Sequence, residues 1–279
     1  MVVSINTNSP ALTALLQLNS INRDLEEVQS RVASGYKVDQ PKDNASIYAT
    51  AQHQRADING YDAVQNGVQR GSNILDVALA AMQGISDLII EMKAKATQAA
   101  DPSLTPVQRA MTDADYQAYR LQIDSMINAA SFDGFNLIDK NPPVAAADDL
   151  KIISEPNANP GLSINIPAID VKAMTSALLG NVNSVAAAQA EIAVLNTMMQ
   201  SVNSQLAVLG GHSLRLETHA QFIVKLQDSL SLGVGSLVDA DLVRESARLQ
   251  AVQIQQQLAT QALQIANNRP QQILALFRN

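Results

Sequence analysis

The chain has 279 residues, of which 47% are hydrophobic but only 3% aromatic, and it contains no Trp and no Cys. Without Cys there is no disulfide, no thiolate nucleophile and no Cys-ligated zinc. A formal net charge of −7 and a pI near 4.9, with no basic patch, argue against nucleic acid as a partner, because phosphate contacts need clustered Lys and Arg.

The apolar content is almost entirely Ala, Leu, Ile, Val and Met, the residues that pack helix on helix. With only 10 Pro and 12 Gly, several of them grouped, long runs remain for helices, and the expected class is all-α. The first segment places Ala11, Ala14, Leu18, Ile21, Leu25, Val28 and Val32 at alternating steps of three and four, a heptad seam. Ser34-Gly35 ends it, and a short extended stretch, Tyr36 to Pro41, follows.

A long helix is predicted from about Asn44 to about Ala100, with Ile58, Tyr61, Val68, Leu75, Leu79, Met82 and Ile89 on one stripe. Gly60, Gly67, Gly71 and Gly84 weaken it locally. Asp101-Pro102 breaks it, and Thr105-Pro106-Val107-Gln108 reads as a capping box opening a third helix to about Ala130. Phe132-Asp133-Gly134-Phe135 is a turn signal, and two short alternating runs near 150–170, around a Pro/Asn/Gly turn, predict a β-hairpin.

The second half is helical again. Ile192, Leu195, Met199, Val202, Leu206, Leu209, Leu216, Ala220, Ile223 and Leu230 keep one seam, interrupted only by Gly210-Gly211 and Ser213. After Gly233-Val234-Gly235 a final helix is predicted to start near Asp239 with two apolar stripes: Leu242, Leu249, Val252, Ala259 and Leu263 on one, Ala251, Ile254, Leu258, Ala262 and Ile265 on the other. A helix apolar on two sides needs partners on two sides. Pairing the two ends of the chain covers only one of these stripes, so an intermolecular role follows most simply, although periodicity alone fits a pair of buried helices in an ordinary bundle equally well.

Chemical sites are sparse. His212 and His219 lie seven apart on one helical face, longer than the usual helical ligand spacing, so no metal site is expected, and His53 has no suitable neighbour. Glu26-Glu27, Asp113/Asp115, Asp148-Asp149 and Asp239/Asp241 read as solvated or capping groups rather than acid and base pairs. No phosphate loop, nucleophile elbow or Ser/His/Asp order is present, so neither an enzyme nor a cofactor is expected. Residues Met1 to Asn22 carry no charge but lack the basic start and cleavage site of a secretory signal, so export would not proceed by a cleaved leader. The charge-free run Leu249 to Asn268 is interrupted by seven Gln, which argues against membrane insertion.

Both ends carry a family pattern. Ser4-Ile-Asn-Thr-Asn8, Ala11-Leu12, Leu18-Asn19, and Leu25-Glu26 through Arg31 to Ser34-Gly35-Tyr36-Lys37-Val38 resemble the N-terminal region of bacterial flagellins. Leu209-Gly210, Arg215-Leu216-Glu217, Asp239-Ala240-Asp241, and Ala266-Asn267 through Pro270 to Phe277-Arg278 resemble their C-terminal region. Two places depart from the pattern: Gln40-Pro41-Lys42-Asp43-Asn44 replaces an acidic pair, and Gly235-Ser236-Leu237-Val238 lacks the basic residue often found before Asp239.

The resemblance implies a filament subunit: an elongated antiparallel helical bundle with a small hairpin, in which residues 1–35 and 239–279 are inner-layer helices that pair in the polymer and 36–238 is the surrounding helical body. Intersubunit packing is then expected at Leu18, Ile21, Leu25, Val28, Leu249, Val252, Ile254, Leu258, Leu263 and Ile265. The implied partners are other copies in a homopolymer, an export chaperone, the filament cap and the hook-junction proteins, at an extracellular flagellar location. The rival readings are a hook–filament junction protein and a surface adhesin built on the same helical body. The short segment between Phe132 and Val171 leaves no room for outer domains.

Overall fold

A computed structural model of the chain describes residues 8–140, 149–156, 163–176 and 180–276. Ser4–Thr7, the tip of the hairpin turn and Phe277–Asn279 lie outside the described residues. Among the described residues the chain forms six helices and one two-stranded sheet.

Helix α1 spans Ser9–Ser34. The Asn8 carboxamide accepts the Ala11 amide at 3.2 Å at its start, and Gly35, in the left-handed region at φ 75°, donates its N–H to the Arg31 carbonyl at its end. Helix α2, Ala45–Ala99, starts where the Asn44 side chain accepts the Ile47 amide at 3.1 Å. Helix α3, Pro106–Ala129, opens on the capping box formed by Thr105 and Gln108, worth about 1 kcal/mol. Phe132 and Phe135 exchange backbone hydrogen bonds of 3.0 Å around Asp133 (φ 52°) and Gly134 (φ 77°). Two consecutive positive φ values make this a turn of the I′ kind, which Asp-Gly favours.

Strands β1 (Leu150–Ile153) and β2 (Ser163–Ile166) pair antiparallel, with Ile152 opposite Ile164 and Leu150 opposite Ile166. Their alternation buries Ile152, Ile164 and Ile166 on one face. The short helix α4, Val171–Thr175, is capped by Asp170, whose carboxylate accepts the Ala173 amide at 2.7 Å.

Helix α5 then runs unbroken from Val185 to Val238. Neither Gly210-Gly211 nor Gly233-Val234-Gly235 interrupts it, contrary to the breaks expected there. Leu195, Val202, Leu209, Leu216 and Ile223 recur every seven residues and are each 0% exposed, and burying such a row outweighs the roughly 1 kcal/mol that each helical Gly costs. The chain breaks instead at Asp239-Ala240, after which helix α6, Leu242–Leu276, begins on Asp241. The Asp241 carboxylate accepts the Val243 and Arg244 amides, both at 3.1 Å.

Two compact units divide the chain, Asp57–Asp228 and the pair Met1–Ala56 with Ser229–Asn279, so the boundaries fall inside α2 and α5 rather than in loops. The Asp57–Asp228 unit has one core, drawn from α2, α3, the hairpin, α4 and α5. Helix α3 runs antiparallel to α2: Met126 lies over Gly84, Asp115 meets Lys95 at 2.6 Å, and the Arg109 guanidinium donates to the Ala99 carbonyl at 2.9 Å. The apolar stretch of α2, long and apolar enough to cross a membrane by composition alone, contributes Leu75, Met82, Ile85, Ile89 and Met92 to this core.

Candidate assembly surface

In the unit built from the two ends of the chain, α1 and α6 lie side by side and antiparallel. Asn8 donates to the Ala266 carbonyl at 2.8 Å, Gln256 donates to Asn22 at 2.7 Å, and Arg31 lies 3.6 Å from Glu245. On α6 the positions that turn inward are Glu245, Leu249, Val252, Gln256, Ala259, Leu263 and Ala266, spaced alternately by four and three. Ile21, Val252 and Ala259 form a buried cluster with Leu18 and Leu25 packed against it. Gln256 and Asn22 are polar groups inside an apolar seam, and because a slipped register would strand both, they fix which residues face each other.

The start of α6 is pinned by the segment after α1. Lys37 and Val38 donate to the Val238 carbonyl at 2.7 and 3.3 Å, and Ala240 donates to the Gly35 carbonyl at 2.8 Å. The Arg55 guanidinium sits 5.8 Å over the Tyr36 ring. In the Gln40–Asn44 stretch that departs from the family pattern, the Asp43 carboxylate accepts the Gln40 and Asp39 amides at 3.0 and 3.1 Å. The Gln40 amide bond is the main cause of the lowered Asp43 pKa.

The ten residues expected to pack between copies therefore divide. Leu18, Ile21, Leu25 and Val252 are taken up by the seam within the chain, Val28 is buried, and Leu249 and Leu263 are half-buried on the same heptad positions. Ile254, Leu258 and Ile265, on the second stripe, remain 57%, 58% and 70% exposed. Helix α1 adds Leu12, Leu15 and Leu16 to the exposed apolar surface. Leu242, expected on the inner stripe, is 50% exposed because Glu245 takes the inward position of that turn.

The remaining candidate groups serve the fold. His219 lies 3.3 Å from the Ser154 carbonyl and stacks on Phe222, with ring centroids 6.2 Å apart. Asp113 accepts the Val182 amide at 2.7 Å, and Asp149 accepts from Asn165 and Ala168, which holds its pKa low. One pair was not visible in the sequence: Tyr116, fully buried, donates its hydroxyl at 3.0 Å to Glu191, which is 5% exposed. Burial, reinforced by the Glu191 charge, raises the Tyr116 pKa. The two residues are 75 positions apart, so no local pattern could have joined them.

The bacterial flagellin N-terminal helical region, as a family model, matches residues 5–142, and the flagellin C-terminal helical region matches 192–277. The flagellin FljK of Caulobacter vibrioides is 40% identical over 275 residues, covering 99% of this chain and 98% of that protein. The chain belongs to the flagellin family. The crystal structure of Bacillus cereus flagellin superposes with a TM-score of 0.51 at 27% identity, covering 56% of this chain and 88% of that one. A flagellar hook-associated protein from Vibrio parahaemolyticus gives a TM-score of 0.57 at 14% identity over 71% of this chain and all of its own, a likeness of fold alone. This flagellin is thus a structural subunit that polymerises with other copies into the extracellular flagellar filament.

Proposed function

We propose that copies of this flagellin join through the outer stripe of α6, Ile254, Leu258 and Ile265, together with Leu12, Leu15 and Leu16 of α1. The observation that carries this is that α1 covers one apolar stripe of α6 and leaves the other exposed. In this reading residues 1–35 and 239–279 form the inner layer of the filament and 36–238 the layer around it. Leu18, Ile21, Leu25, Val28, Leu249, Val252 and Leu263 then act indirectly, by holding the α1–α6 pair whose outer face makes the contact. An export chaperone would cover the same exposed stripe before assembly, and the cap and hook-junction proteins would end the array.

The α1–α6 seam buries few large side chains compared with the Asp57–Asp228 core, so it is the weaker part of the isolated subunit. Hydrogen exchange is expected to be fast in α1 and α6 of the monomer and slow in the filament, while the middle of α2 and α5 is slow in both. Strong protection of 8–32 and 242–269 in the monomer would contradict the proposal.

Export without cleavage is part of the same reading. Removal of about twenty residues, the length of an ordinary leader, would delete Asn8 and its bond to Ala266 along with the Ala11, Ala14 and Leu18 half of the seam. The mass of the protein recovered from filaments is expected to include this segment, and its absence would refute the point.

A further inference from the structure

Among the described residues Glu245 is the one charged side chain on the inward row of α6, and it is 8% exposed. Its place in the first turn of the helix favours a negative charge. A buried carboxylate also needs a hydrogen-bond donor, because water is not there to supply one. The cation that faces it is Arg31, in the last turn of α1. Arg31 Nη1 lies 3.6 Å from Glu245 Oε1, just beyond bonding distance, and Glu245 Oε2 is buried and accepts no hydrogen bond among the described residues. The other arm of the same guanidinium, Nη2, is bonded to Glu27, one turn earlier on α1, whose side chain is 51% exposed.

The cation is thus bonded where it is needed least. Water solvates Glu27 whether or not it is paired, and an exposed pair at this spacing on one helix contributes little. Glu245 has no water to turn to, and a hydrogen bond to a buried charge is worth several times more. Room for a transfer exists, since Arg31 borders a cleft of about 430 Å³ together with Glu27, Tyr36 and Asp43. Asp43 does not compete, because its carboxylate already accepts the Gln40 and Asp39 amides. Closing the gap from 3.6 Å to bonding length takes less than about 1 Å. What opposes the closure is the backbone: the bonds from Lys37, Val38 and Ala240 fix the start of α6 beside the end of α1, and the seam of Ile21, Val252 and Ala259 is too small to draw the helices closer.

We infer that Arg31 is a transferable clasp, held by Glu27 in the free subunit and passed to Glu245 when α6 is pressed onto α1 in the polymer. The device rests on the reading of α1 and α6 as the inner pair of a polymer subunit and adds a step to it. A neighbouring copy that covers the outer stripe of α6 pushes the pair together, and the buried carboxylate then takes both arms of the planar fork. Glu27 returns to water at little cost. A movement of less than an ångström so converts a contact outside the pair into a tighter bond inside it.

Glu27→Gln separates this device from a fixed ion pair. Loss of a fixed pair would loosen the end of α1, whereas release of the clasp tightens it. Amide exchange of residues 28–34 and 245–252 in the monomer is expected to slow on the order of threefold or more. The critical concentration for assembly should fall in similar proportion, because the subunit no longer gives up the Glu27 bond on joining. In a Glu245→Gln background the same substitution should change both far less, since a neutral amide receives the fork weakly. Faster or unchanged exchange in Glu27→Gln overturns the clasp, an unchanged critical concentration overturns its transfer on assembly, and an effect of equal size in the Glu245→Gln background overturns both. Normal filaments from Leu258→Asp would remove the trigger assigned to the outer stripe of α6, while the exchange measurement is made on the monomer, so the two failures are distinguishable.

Discussion

Leu258→Asp is expected to abolish filament formation while leaving the subunit folded. Leu258 is 58% exposed on the stripe of α6 that α1 does not cover, so the substitution removes nothing from the seam of Ile21, Val252 and Ala259. In a dry intersubunit contact it would forfeit about 2 kcal/mol of Leu burial and add an unpaired charge costing more still. Even a total near 4 kcal/mol per contact lowers an association constant about a thousandfold, and every subunit of the polymer carries the defect. Sedimentation should show no polymer, and circular dichroism should show the helical content and melting of the parent. Filaments of ordinary length and stability would remove α6 from the intersubunit contact. A globally unfolded variant would mean that the outer stripe belongs to the fold of the single chain.

Tyr116→Phe is expected to lower the stability of the Asp57–Asp228 unit by about 2–3 kcal/mol, because a hydrogen bond to a buried charge is lost and the Glu191 carboxylate stays buried without its tyrosine donor. For a unit of this size that corresponds to a drop of about 5–10 °C in its calorimetric transition. Replacing both partners, Tyr116→Phe with Glu191→Leu, should recover much of the loss, since the cost lies in the stranded charge rather than in the missing bond. A double variant no better than the single would show that Glu191 contributes through other contacts.

The pair also sets a pH dependence. Burial and Glu191 raise the Tyr116 pKa in the folded state, so above about pH 10, where an unfolded Tyr ionises, the folded chain holds more protons than the unfolded one and stability falls as pH rises. The alkaline decline should be shallower in Tyr116→Phe, and an identical decline in both proteins would assign it to other groups.

Local chemistry was legible where a backbone group finds its partner within a few residues. The Thr105–Gln108 capping box, the Gly35 stop and the Asp-Gly turn between Phe132 and Phe135 all follow from residues that act on their own turn of chain, and the two short alternating runs announced the strands that pair as β1 and β2. The two stripes of α6 were equally plain, because a heptad is a statement about one helix. The glycines misled for the same reason. Gly210-Gly211 and Gly233-Val234-Gly235 weaken a helix taken alone, but the row from Leu195 to Ile223 is held by groups brought from α2 and α3.

What the sequence by itself determined is thus the helices, their caps and their apolar faces, along with the family pattern at both ends. Only the tertiary structure decided which face meets which. The Asn22–Gln256 bond and the inward Glu245 gave one stripe of α6 to α1 and left Ile254, Leu258 and Ile265 open, the core claimed the Tyr116 side of α3 and left Val107, Met111 and Leu121 exposed, and the hairpin closed over Gly60 and Gly71 of α2. Periodicity says that a face is apolar. The choice between covering it within the chain and leaving it for a neighbour is made by contacts between residues far apart in sequence, where no local pattern carries the information.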